Sequence, residues 1–145
     1  MKDKLIWSIF WALVGIFVVI ASAIAIPAVR DLLRGFPFLI ISGAVFFLLG
    51  VALIFFTVKE KVGGMSKKFL LLTGASAVGF LLFILLHNAV YGLFIYFFGE
   101  GFWDRIGVAD EPVFFIMAVL VCPIGFLVGA VGSIILAIKR LRMAK

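Results

Sequence analysis

Four stretches of this chain hold no Asp, Glu, Lys or Arg at all: Leu5 to Val29, Phe36 to Val58, Phe69 to Gly99 and Pro112 to Ile138, of 25, 23, 31 and 27 residues. Each exceeds the run of about 20 apolar residues that an α-helix needs to cross about 30 Å of hydrocarbon, where every backbone N–H and C=O must be paired within the segment. A membrane barrel would need short alternating apolar and polar strands, whereas these runs are continuous and rich in Leu, Ile, Val and Phe. Charged residues make up 14% of the chain, against about 25% in soluble domains. The 145 residues leave no room for a second domain of ordinary size. The reading is an all-α integral membrane protein, a single transmembrane domain over residues 1–145, folded as a left-handed four-helix bundle with spans near 5–29, 36–58, 69–98 and 112–138.

The first stretch has the basic start of a signal peptide (Lys2, Lys4) and small residues at Ala21-Ser22-Ala23. A signal core is about 7 to 15 residues long, and Leu5 to Ala21 is already 17. It reads as a retained helix.

Orientation follows from the lysines and arginines of the short loops. The N-terminal head (Lys2, Lys4), the second loop (Lys59, Lys61, Lys67, Lys68) and the C-terminal tail (Lys139, Arg140, Arg142, Lys145) together carry ten, whereas the first and third loops carry three (Arg30, Arg34, Arg105). Both termini and the second loop are therefore expected in the cytoplasm, with the chain in the plasma membrane. The net charge of +6 is mostly this topological signal. Lysines beside the membrane also attract anionic headgroups, but no extended basic, aromatic-interleaved surface points to nucleic acid. On the other face the third loop holds Glu100, Asp104, Asp110 and Glu111 against Arg105, and the first holds Arg30 and Arg34 with Asp31. Either the two loops form an ion-paired cap or the acids are simply solvated, which is the commoner arrangement for exposed charges. The acids lack the ligand spacing of a calcium loop.

Small residues recur along three spans. Ala118, Cys122, Gly125, Gly129 and Gly132, with Ser133 adjoining, repeat at intervals of four and three, as do Ser8, Ala12, Gly15, Val19 and Ser22; Gly43, Gly50 and Thr57 lie seven apart. A period near 3.5 is the pattern of left-handed packing. In lipid, apolar bulk does not favour protein over solvent, and small side chains that let backbones approach are what bring helices together. These residues are accordingly read as helix-packing positions, with a pore lining as the alternative.

The third stretch is too long. At 1.5 Å per residue its 31 positions would reach about 46 Å, and a tilt of about 50° would be needed to fit them into the bilayer. The span must protrude or break; a break would fall after His87-Asn88 with Gly92 as hinge, and Tyr91 to Phe98 should lie at or above the interface, packed with Phe102 and Trp103. Thr73, Ser76, His87, Asn88 and Tyr91 give this span one weakly polar face. His87 is the sole histidine and Cys122 the sole cysteine, so no intrachain disulfide or CxxC pair exists. Pro123 should distort the fourth span. His87 and Cys122, placed at similar depth by residue counting, are the weak candidates for a metal; two ligands are too few for zinc, which takes three or four. An ionisable residue inside a span is a functional candidate by default, weighed here against a neutral imidazole hydrogen-bonded across helices or to the third loop.

Absences narrow the chemistry. No span carries the carboxylate that a proton-coupled four-helix exporter requires, and there is no second histidine for bis-histidine haem. P-loop, HExxH, GxSxG and dinucleotide motifs are missing. No cofactor and no catalytic residue are assigned. The expected role is a non-catalytic structural or accessory component that contacts the lipid bilayer and associates with itself or with a larger membrane complex. The alternatives are a homo-oligomeric channel or transporter, and a cofactor- or metal-binding protein using His87.

Overall fold

The structure, a computed structural model, describes residues 2–32, 37–108 and 111–143. Over these the chain is all-helical: α1 (Lys2–Ala25), α2 (Pro27–Leu32), α3 (Phe38–Lys59), α4 (Gly64–Phe98), α5 (Phe102–Arg105), α6 (Pro112–Ile116), a π-helical turn (Met117–Val121) and α7 (Cys122–Met143). Four helices are long and apolar enough to cross a membrane: Lys4–Ala25, Ile40–Lys59, Gly64–Phe98 and the composite Pro112–Met143. Such helices imply contact with a lipid bilayer.

Packing follows chain order. α1 lies on α3, α3 on α4, and α4 on α7, so α4 is shared by two neighbours. The core combines Ile6, Phe10 and Leu13 of α1 with Phe46 and Leu53 of α3, Leu70 and Ala77 of α4, and Phe126 and Ala130 of α7. α1 and α7 meet through the stacked rings of Phe17 and Phe126, with centroids 4.5 Å apart.

Local chemistry explains where the elements depart from their expected bounds. α1 stops at Ala25 rather than continuing to Val29, because Ile26 precedes a proline and the pyrrolidine ring crowds an α-conformer at that position. Pro27 then opens α2, where its missing N–H costs nothing. α4 begins at Gly64, earlier than Phe69, and α7 carries on through the basic tail to Met143. The start expected at Phe36 lies outside the described residues.

Of the two outcomes expected for the third span, the break does not occur and the helix runs on. α4 passes through His87, Asn88 and Gly92 without interruption and ends at Phe98, a run of 35 residues or about 52 Å. A glycine inside a helix costs only about 1 kcal/mol, and the aromatic end is held from the side by α5. Tyr91 stacks on Trp103 at 5.8 Å, while Phe94 lies 5.0 Å from Phe102 and 5.4 Å from Trp103. Gly99, at φ +88°, turns the chain in a conformation that favours glycine. Arg105 donates to the carbonyls of Phe98 and Gly101, placing a cation at the negative end of α4.

Pro123 distorts the fourth span through the turn before it. In a regular helix its ring would strike the carbonyl of residue i−4, Val119. The π turn over Met117–Val121 widens the backbone there.

Candidate functional site

Glycine density along α4 and α7 sets their separation. A methyl group added at Gly129 would lie 2.7 Å from the Thr73 amide nitrogen and 2.9 Å from the Phe69 carbonyl. One at Gly125 would meet the Ser76 hydroxyl at 2.6 Å, and one at Gly132 would enter the Phe69 ring. Cys122 and Ser133 of α7 and Ala118 of the π turn before it are also buried. On its other side α4 meets α3 through a reciprocal glycine contact: a methyl at Gly50 would lie 3.0 Å from the Gly74 carbonyl, and one at Gly74 the same distance from the Gly50 carbonyl. Gly43 makes only ordinary contact with Leu81.

The matching series on α1 points elsewhere. Ser8, Ala12, Gly15 and Val19 are exposed and Ser22 is half-buried, and a methyl at Gly15 would meet nothing within 4 Å. Within this chain α1 buries Ile6, Phe10, Leu13 and Ile20 instead. α1 thus packs through large side chains, whereas α4 and α7 meet through glycines.

The five residues of the expected polar face separate into four environments. Thr73 and Ser76 are buried against the glycines of α7, with Thr73 Oγ1 donating to the Phe69 carbonyl at 2.9 Å. Asn88 is exposed and donates to the Ile84 carbonyl at 2.8 Å. Tyr91 belongs to the aromatic group around Trp103.

His87 reaches across to the start of the fourth span. Its Nδ1 lies 3.0 Å from the Glu111 backbone carbonyl and 3.4 Å from Glu111 Oε2. A carbonyl only accepts, so Nδ1 carries a hydrogen and donates. Glu111 is itself 5% exposed and caps α6, its two carboxylate oxygens accepting from the amides of Val113 and Phe114 at 2.9 Å each. These bonds satisfy two of the amides that a helix start leaves without intrahelical partners. The expected loop-to-loop ion-paired cap draws on Arg34 and Asp110, which lie outside the described residues; Glu111 is turned inward to His87.

His87 and Cys122 do not share a depth. The Cys122 thiol sits 3.0 Å from where a Cβ of Gly79 would stand, eight residues or about 12 Å along α4 from His87. Counting from helix ends misplaced them because Glu111, the start of the fourth span, is pinned to His87 itself. Among the described residues no group of three or more His, Cys, Asp or Glu side chains could hold a metal ion.

Between α1 and α7 lies a cavity of about 530 Å³, floored by α3 and α4. Phe17, Phe46, Phe80 and Phe126 line it, with Ser76 as its one hydroxyl. Nothing in the spacing of these residues marks them as a group, since they come from four helices. Gly74 and Gly79 were likewise not singled out in the sequence.

The described residues form an all-helical protein with four helices long and apolar enough to cross a membrane. The chain matches no protein-family model, no curated protein and no solved structure.

Proposed function

We propose that the chain is a non-catalytic accessory component of a membrane assembly, a left-handed bundle with both termini on the cytoplasmic side of the plasma membrane. The observation that carries this reading is the outward face of α1, where Ala12, Gly15 and Val19 are exposed and Gly15 has no neighbour. In lipid such a face gains little from the surrounding chains but allows a second helix to approach closely. The most apolar window of each span is only 28 to 33% buried within the chain, which leaves lateral surface for that contact. The ten basic residues on the head, second loop and tail support the orientation.

The test is gentle solubilisation from native membranes followed by affinity capture. An unlike chain is expected in fixed ratio, and Gly15→Leu is expected to release it while the thermal midpoint of the captured protein stays unchanged. Recovery of the chain alone, identical for both forms, would overturn the reading.

A further inference from the structure

The cavity between α1 and α7 is open to one side, because Ile24 and Val119, which line it, are also 60% and 47% exposed on the molecular surface. Both residues belong to candidate membrane spans, so the mouth opens on the side of the bundle that lipid would cover. At about 530 Å³ it falls within the size range of small-molecule sites. None of its lining residues is charged, which excludes an ionised ligand, since a bare charge in such a wall has no partner.

What distinguishes a ligand from the surrounding tails is decided by the rest of the wall. Lipid chains are as apolar as the aliphatic lining, so an acyl chain gains little by entering beyond filling the space. Two features offer more. Ser76 is 8% exposed and supplies the one hydroxyl among the lining residues. Around it stand four phenyl rings, with Phe46 centred 5.3 Å from Phe126 and 6.3 Å from Phe80. Ring faces and edges favour an aromatic partner over a saturated chain, and a hydroxyl in an otherwise apolar, low-dielectric wall favours an acceptor.

We propose that this cavity binds a neutral, lipid-soluble planar ring bearing a carbonyl, the ring lodged among Phe17, Phe46, Phe80 and Phe126 and the carbonyl accepting a hydrogen bond from Ser76. The site is independent of the assembly reading, which rests on the opposite use of α1.

Fluorenone and fluorene, the same ring system with and without the carbonyl, test it. Binding is measured with the full chain in lipid nanodiscs against empty nanodiscs, for wild type, Ser76→Ala and Ala21→Trp, the last placing a large ring in the mouth. Fluorenone is expected to bind saturably at one per chain, about five- to tenfold more tightly than fluorene, the size of one hydrogen bond. Ser76→Ala should remove that difference and leave fluorene unchanged, and Ala21→Trp should abolish both. Thermal midpoints close to wild type establish that the variants are folded. Absence of saturable binding, equal affinity for the two probes in wild type, or full binding by Ala21→Trp would each overturn the proposal.

Discussion

Thr57 and Ser133 are buried at 0% and 2% exposure, and neither hydroxyl meets a partner among the described residues. An unpaired buried hydroxyl costs about 1–3 kcal/mol, so Thr57→Val, which keeps the shape and removes the hydroxyl, should raise the thermal midpoint; a fall would show that the hydroxyl has a partner in the membrane. Glu111 behaves oppositely, since two amides and His87 depend on it. Loss of a helix cap typically costs about 1 kcal/mol, and Glu111→Ala should lower stability by at least that much. His87→Gln retains a donor and should leave the bundle intact by circular dichroism and midpoint, with no metal detected by elemental analysis of either form. The sequence showed His87 to be a polar group in a span but not its partner. An acid in a short loop is usually solvated, and the one sign that Glu111 starts a helix is Pro112 behind it.

Spacing identifies a face of a helix, not what the face meets. The intervals on α7 and α1 are alike, yet Gly129 is pressed against the α4 backbone while Gly15 touches nothing. Gly129→Leu should therefore unfold the bundle or lower its midpoint by several degrees, well beyond Leu120→Ala, whose side chain is 54% exposed, and Gly15→Leu should not change it. Similar midpoints for Gly129→Leu and Gly15→Leu would mean that the close approach is not what holds α4 and α7. The role of α4 was harder to read because its small residues surround the helix, with Gly74 toward Gly50 and Thr73 and Ser76 toward Gly129 and Gly125. A helix gripped on two sides shows no single stripe.

For the molecule as a whole, the four apolar runs were legible because the bilayer constrains length and charge so tightly, and the ends of the helices were not, because they depend on prolines, caps and loop contacts. The proposed orientation predicts that, with Cys122→Ser as background, a cysteine at Ser66 resists an impermeant thiol reagent applied to intact cells while one at Gly101 reacts; labelling at Ser66 would reverse it. The π turn gives the fourth span a property no other span has. Glu111 clasps His87 on one side of it, and Gly125 and Gly129 meet Ser76 and Thr73 on the other. A π turn is one residue inserted into an otherwise regular helix, so the chain between these two grips is one residue longer than the distance requires. Loss of Leu120 together with Pro123→Ala would let that stretch close into an ordinary helix with both grips in phase. Loss of Leu127, beyond the turn, would swing everything after it by about 100° and pull the Gly129 contact off its partner. The fourth span thus carries its own slack, confined to the five residues Met117–Val121, and is intolerant of a miscount anywhere else.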